Sequence, residues 1–377
     1  MVKKKKSIQD QLRKCVQCGS CLPICPVYRI IEEEDVSPRG KVFFIKMQEV
    51  FPEQLDEELE DEFADALFSC VCCSRCTEIC DSDVEVMELF KETRGSYVDK
   101  RPELCQIISN IRDEKNVYGL DNSIRAEGWL FDLLSELPDI ADYIYPAKKK
   151  ADVVFFVGCL MSFRGRHSSV IQAIIKILKL LKIDFLLLGG EEYCCGHPLD
   201  LLGKSKEAQQ IRVHNSQLFK ETEAEVIITD CPGCLEGLRE EHPLPENIRV
   251  LHVTEFFDEQ INTVPNKLDI TLKYHDPCEL FRNNEVTKAP RSLLKKMGVE
   301  VVEMEPACCG GGGMARVSKE KLSSQIMEER IKVEKLEQEP IEVVTCCPSC
   351  LEQYELAGIT TWDIAEWLVK ALTIKEE

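Results

Sequence analysis

Twenty-one cysteines stand in this chain of 377 residues, and most of them fall into sets with the spacing of metal ligands. Cys15, Cys18, Cys21 and Cys25 are separated by two, two and three residues with Pro26 behind them, and Cys70, Cys73, Cys76 and Cys80 repeat that spacing. This is the bacterial [4Fe–4S] run. Two-residue gaps let three thiolates of one loop converge on three corners of a cube, while the fourth cysteine, past a turn, points to the other cube. The expected sets are Cys15, Cys18 and Cys21 with Cys80, and Cys70, Cys73 and Cys76 with Cys25. Two such cubes would form a relay for single electrons. Asp81 stands where the second run would have its proline, a turn-former rather than a ligand. Structural zinc, the other reading of clustered thiols, prefers two separated Cys-x2-Cys pairs.

Further cysteines form a pattern that occurs twice: Cys159, Cys194-Cys195-Gly196 and Cys231-Pro232-Gly233-Cys234, then Cys278, Cys308-Cys309-Gly310 and Cys347-Pro348-Ser349-Cys350. The elements that must position them alternate. Apolar runs at 151–158, 185–188, 226–229 and 249–253 read as strands, with helical spacing over 168–181 and 201–220. The order recurs with strands at 270–274, 299–303 and 341–344 and helices over 290–297, 318–336 and 363–372. Such alternation predicts parallel α/β units with right-handed crossovers, here duplicated. Each thiol then lies at the carboxyl end of a strand, where open α/β sheets gather their ligand sites. Zinc and a cubic cluster need four ligands. Five per repeat suggests a cluster opened out so that two thiolates bridge irons.

The expected fold class is α plus α/β. An α-helical ferredoxin-like domain for two [4Fe–4S] clusters spans 1–100, and a helical connector 101–150. A duplicated α/β domain with parallel strands follows at 151–265 and 266–377. Composition is that of an ordinary globular protein, with 44% apolar and 30% charged residues. A net charge of −20 leaves no basic face for nucleic acid. The run Lys3–Lys6 precedes no apolar segment, so it reads as a solvated tail and not a secretory leader. The apolar stretch 170–188 is broken by Lys176, Lys179, Lys182 and Asp184, which excludes a membrane span. Clustered thiols in such a chain imply a reducing, cytoplasmic setting, free or on the inner membrane face through a partner.

His197 and His275 stand near the cysteines as proton donors or hydrogen-bond partners, or simply as loop-packing groups. Arg164, Arg282 and Arg316 lie just beyond cluster loops, either to receive an anionic substrate or as surface charge. Gly310 to Gly313 lack the Gly-Lys-Ser/Thr ending of a phosphate loop. Glycines there would let backbone amides approach cluster sulfurs. Cys72, Cys105 and Cys346 have no ligand slot and read as buried or incidental.

The doubled layout resembles the cysteine-rich CCG domain family. With two [4Fe–4S] motifs ahead of it, the chain is similar to the D-type iron–sulfur subunit of the heterodisulfide reductase of methanogens and to its relatives. The segments that carry the likeness are His275-Asp276-Pro277-Cys278, Ala289-Pro290-Arg291, Cys308 to Gly313 and Thr345 to Cys350. The resemblance implies a noncubane [4Fe–4S] cluster on Cys159, Cys194, Cys195, Cys231 and Cys234, and a second on Cys278, Cys308, Cys309, Cys347 and Cys350. These ten cysteines would be the catalytic ones and would cleave a disulfide of the coenzyme M–coenzyme B type or a related one. Soft iron favours sulfur and could hold the nascent thiolate. The implied partners are a membrane cytochrome b-type subunit or a soluble flavoprotein donor, with a small disulfide or thiols as substrate. Related subunits of glycolate oxidase, lactate-utilisation and anaerobic glycerol-3-phosphate dehydrogenase systems share the layout. An electron-transfer subunit of a flavin-dependent hydroxy-acid dehydrogenase, or of a quinone-linked sulfur-metabolism complex, therefore stays open beside the reductase.

Overall fold

The computed structural model describes residues 7–54, 56–240, 244, 247–338 and 341–373, so the Lys3–Lys6 run lies outside the described residues. The chain divides into two compact units that are not contiguous in sequence. One comprises Met1–Gln106, Pro198–Ser205 and Ala307–Val333; the other comprises Ile107–His197, Lys206–Pro306 and Glu334–Glu377.

The first unit is helical. Its main helices are Ile8–Lys14, Pro26–Ile31, Pro38–Val50, Glu57–Phe68, Val86–Tyr97 and Glu320–Val333. The helix Pro38–Val50 starts where the sequence supplies both a cap and a first-turn proline: Ser37 Oγ accepts from Gly40 N at 2.9 Å. Phe44 on that helix stacks on Phe63 with ring centroids 4.0 Å apart. Pro26 opens a helix of its own, directly behind Cys25. After Cys80, where Asp81 replaces the proline, a turn intervenes and the next helix starts only at Val86. The proline thus acts as a helix opener rather than as a turn-former.

The second unit holds two four-stranded sheets. The first comprises β1 (Val153–Phe155), β2 (Phe185–Leu187), β3 (Val226–Thr229) and β4 (Arg249–His252), in the order β2-β1-β3-β4. The second comprises β5 (Thr271–Tyr274), β6 (Glu300–Glu303), β7 (Val343–Thr345) and β8 (Thr361–Asp363), in the order β6-β5-β7-β8. Every pairing is parallel; Val154, for example, lies opposite Leu186 and Ile227. Strands β1 and β2 are buried throughout, as a parallel sheet covered on both faces requires.

The repeats pack reciprocally. Helix Ser168–Leu180 of the first lies against Ile364–Leu372 of the second, and Val253–Gln260 of the first against Lys288–Met297 of the second. One core therefore runs through both, from Ile174 and Leu178 to Leu293, Leu368 and Ala371. The eighth strand and the helices Pro232–Glu240, Val253–Gln260 and Pro348–Leu356 are additions to what the sequence patterns predict. The helix expected over 318–336 is Glu320–Val333, and a separate turn of helix, Ala315–Ser318, precedes it.

Candidate metal centres

In the first unit the two front loops exchange their fourth cysteines. Cys21 lies within electrostatic reach of Cys15, Cys18 and Cys80; burial, then those thiols, push it up to about 11. Cys18 is exposed, 3.5 Å from Ser20 Oγ. Cys25 instead joins Cys70, Cys73 and Cys76 around a small cavity that Lys41 and Phe90 also line. Burial pushes Cys25 up to about 11, while the nearby Lys41 pulls the other way.

Two buried cations attend this second set. Lys41 is 2% exposed and donates to the Val36 carbonyl. Arg94 is wholly buried and spreads its guanidinium over five acceptors. Nη2 donates to the carbonyls of Cys70 (2.7 Å) and Leu67 (3.1 Å). Nη1 donates to Cys72 Sγ (3.2 Å) and to the carbonyls of Leu201 (3.2 Å) and Gly313 (3.3 Å). Among the described residues no carboxylate pairs with either cation. Arg94 carries a full charge, while burial lowers the Lys41 ammonium and the nearby thiols of Cys70 and Cys25 oppose that; such uncompensated positive charge beside four thiols suits an anionic group in the cavity, because buried charge needs a counter-charge. An iron–sulfur cube held by thiolates is such a group, and the residues fit it. The glycine loop serves this neighbourhood: Gly313 has φ +63°, and a Cβ there would meet the Cys70 carbonyl at 2.6 Å. Gly310 N does approach a cysteine sulfur, that of Cys308, at 3.3 Å.

The rear thiols of the first repeat all lie in the second unit. Each follows the carboxyl end of a strand, Cys159 after β1, Cys194 and Cys195 after β2, Cys231 and Cys234 after β3. The Cys-Cys pair is pinned by helix Ser205–Thr222: Asn215 Nδ2 donates to the Cys194 carbonyl (3.3 Å) and Arg212 Nε to that of Cys195 (3.0 Å). The five sulfurs lie in a string, in the order Cys159, Cys194, Cys195, Cys234, Cys231, each within electrostatic reach of the next. Cys159 falls to about 6, first through the Cys194 hydrogen bond and then, against burial, through Arg125. Cys195 is lowered by Cys194 and Cys234, which are themselves raised as donors. Gly158 (φ +81°) admits the approach, since a Cβ there would stand 2.9 Å from Cys234 Sγ. Five soft donors, four of them buried and Cys231 partly exposed, fit an iron–sulfur group.

A buried ion pair stands beside this string. Arg125 Nη2 reaches Cys159 Sγ at 3.4 Å and Nη1 reaches Glu192 Oε1 at 2.9 Å. Glu192 also accepts from Val157 N and Gly158 N, both at 2.8 Å. Burial raises its carboxyl to about 7 against the pull of Arg125.

In the second repeat Cys278, Cys347 and Cys350 are buried in the second unit, whereas Cys308 and Cys309 belong to the first. His275 accompanies Cys278, and its Nδ1 lies 3.2 Å from Tyr354 Oη. Asp276 is paired with Arg291, whose Nε also donates to Glu303 at 2.7 Å. His197 of the first repeat lies 3.4 Å from Glu279 of the second. Arg164 is paired with Glu352, and Arg282 donates to the Pro306 carbonyl at 2.5 Å. Cys72 and Cys346 are buried and Cys105 is half-buried.

The residues that sequence reasoning missed are Lys41, Arg94, Arg125, Glu192 and a group at the junction of the repeats: Asp230, His252, Asp363 and Glu366. Asp230 immediately precedes Cys231 and Glu192 stands two before Cys194, which was the available signal. The arginines carried none.

Comparison with known proteins gives the class. A 4Fe-4S dicluster domain model matches residues 11–84, and a cysteine-rich domain model, CCG, matches twice, at 153–239 and 272–354. The chain thus joins these two iron–sulfur-type domains. In that layout it is similar to the D-type subunit of heterodisulfide reductase. It is 29% identical to that subunit of the dihydromethanophenazine:CoB–CoM heterodisulfide reductase of Methanosarcina acetivorans, over 90% of this chain and 87% of the relative. It is 27% identical to the EtfAB:quinone oxidoreductase of Syntrophomonas wolfei (96% of this chain, 58% of the relative). It is 26% identical to a probable glycolate oxidase iron-sulfur subunit of Bacillus subtilis (94% and 90%). No helix among the described residues is long and apolar enough to cross a membrane.

Proposed function

We propose that the chain is the iron–sulfur subunit of a heterodisulfide reductase-like complex that cleaves a small disulfide. Its front cubes would be held by Cys15, Cys18, Cys21 and Cys80, and by Cys25, Cys70, Cys73 and Cys76. Noncubane clusters would be held by Cys159, Cys194, Cys195, Cys231 and Cys234, and by Cys278, Cys308, Cys309, Cys347 and Cys350. When bound, such clusters supply single electrons and irons that take up thiolate sulfur. The observation that carries the reading is the five-sulfur string of the first repeat, one donor more than zinc or a cube needs.

The chain's own residues do the rest. The buried β-strand ends exclude water from the sulfurs of Cys159, Cys194, Cys195 and Cys234. Cys194, and after it Arg125, lower the Cys159 thiol toward the thiolate that ligates. His275 and His197 can hold a proton for a departing thiolate. A membrane cytochrome b-type subunit or a flavoprotein would supply the electrons, as the multi-subunit relatives suggest.

The test uses anaerobically reconstituted protein. Iron and acid-labile sulfide should match four clusters, and addition of coenzyme M or coenzyme B thiol to oxidised protein should produce a new paramagnetic signal. Zinc or no metal in the rear half of fully folded protein would end the reading. A second reading is favoured by the likeness to the glycolate oxidase subunit along 94% of this chain: an electron relay with no substrate of its own. Four clusters, no thiol-dependent signal and electron delivery to a flavoprotein would select it.

A further inference from the structure

We infer that Arg94 and Lys41 set the reduction potential of the second front cluster, raising it above the value that burial alone would impose. The inference rests on the cluster assignment above. Reduction adds one electron, and so one negative charge, to a cube; no bond need form or break. In a buried cavity the added charge is disfavoured by lost solvation, as it is for any buried anion. A fixed cation nearby opposes that penalty, and does so strongly where water is excluded.

The cavity of Cys25, Cys70, Cys73 and Cys76 is built that way. Lys41 lines it, and Arg94 binds the carbonyl of the ligand Cys70 and the thiol of Cys72, the residue before the ligand Cys73. A guanidinium does not deprotonate in a protein. Neither cation is neutralised by a carboxylate among the described residues. The same guanidinium takes the carbonyls of Leu201 and Gly313, which follow the two Cys-Cys pairs in sequence, so its position is fixed from four directions.

Among the described residues the charges beside the first front set are compensated. Cys18 is exposed, so water can answer the added electron there. The basic groups beside it are neutralised in pairs: Arg39 binds Glu34 through both oxygens (2.7 and 2.9 Å), and Lys14 binds Asp83 (2.8 Å). Solvent compensates one cluster and protein charge the other.

The experiment is a potentiometric titration of the anaerobically reconstituted full chain with dithionite, followed by electron paramagnetic resonance. Arg94→Gln and Lys41→Met should each lower one front midpoint and leave the other in place. The expected change is at least tenfold in the reduction equilibrium, about 59 mV for one electron. Arg94→Lys, which keeps the charge, should recover at least half of the shift, and Arg39→Gln should move neither midpoint. Iron and sulfide retained with both midpoints within threefold of the unaltered protein would overturn the inference. So would loss of the cluster from both charge-removing variants, which would make the residues structural; if Arg94→Gln alone loses it, Lys41→Met decides. Absence of any [4Fe–4S] signal from the unaltered protein would sink the cluster assignment itself, a different outcome from unmoved midpoints.

Discussion

The two cysteine-rich repeats share a strand order and a thiol pattern, yet different charges are buried beside their cysteines. In the first, Arg125 and Glu192 form a dry ion pair against Cys159. In the second, the position two before Cys308 is Pro306, so no such carboxylate exists, and the charges near Cys278 are Asp276 with Arg291. The sheet edges differ as well. Strand β2 is covered: Tyr143 stacks on Phe185 at 4.8 Å, and Tyr145 N donates to the Leu187 carbonyl at 2.8 Å. Its counterpart β6 is mostly exposed and carries Glu300 and Glu303, a charged edge of the kind that resists pairing with another chain. The segment that supplies Arg125 also covers β2, so one connection makes both differences. Thiol positions follow from strand ends, which duplication copies; electrostatics follows from what is attached to them.

The widest break in the comparison comes from the thiols. Cys195→Ser and Cys309→Ser should each remove one rear cluster while both front signals persist, and each should abolish disulfide cleavage. Iron analysis with magnetic resonance checks the first part and a disulfide-dependent assay the second. If only Cys195→Ser loses iron, the repeats differ in occupancy and not only in charge. The next effect belongs to the first repeat alone. Arg125→Met strands Glu192 in a dry pocket and should cost about 3 to 5 kcal/mol, the usual penalty for breaking a buried pair. Arg125→Met with Glu192→Leu should recover most of that in urea unfolding. No substitution at Pro306 can reproduce the effect. In the second repeat, Tyr354→Phe removes the partner of His275 Nδ1 and should cost about 1 to 2 kcal/mol, as the loss of one buried hydrogen bond does. The sulfur string of the first repeat should be untouched, with its cluster signal unchanged.

Much of this was legible because doubly buried parallel strands are written as apolar runs. Val153–Phe155, Phe185–Leu187 and Val226–Thr229 stand close to where the runs put them. Thr361–Asp363 was hidden because it is three residues long and Asp363 reads equally well as the cap of the helix behind it, which it also is. The helices Pro232–Glu240 and Pro348–Leu356 were missed because each Cys-Pro-x-Cys looks like a loop. Proline at a first helical position was the unused signal. The cysteine sets are written in local spacing. Arg94 and Arg125 could not show: Arg125 meets Glu192 across 67 residues, and Arg94 meets Gly313 across 219. Only the fold brings such partners together.

The smallest effect tests the junction of the repeats, where equivalent positions carry opposite chemistry. His252 caps Val253–Gln260 and Asp363 caps Ile364–Leu372, each with a glutamate three residues on that closes a capping box. Burial lowers His252 to about 4, although Asp230 and Cys346 backbone contacts resist. Burial raises Asp363 well above the carboxylate range, with Asp230 adding repulsion. Between pH 6.5 and 4 the unfolded chain takes up a proton that folded His252 refuses, so this contribution loses stability on acidification. Asp363 does the reverse, because the folded state keeps a proton that the unfolded state gives up, and its contribution gains stability as pH falls. In the intact protein the two slopes oppose. His252→Asn keeps a capping side chain but cannot titrate. From pH 7.5 to 5.5 the variant should gain about 1 kcal/mol relative to the unaltered protein. Asp363→Asn should change the relative stability in the opposite sense. Anaerobic urea unfolding at the two pH values reads both, and parallel pH dependence in the two variants would show that the junction does not divide its charges between the repeats.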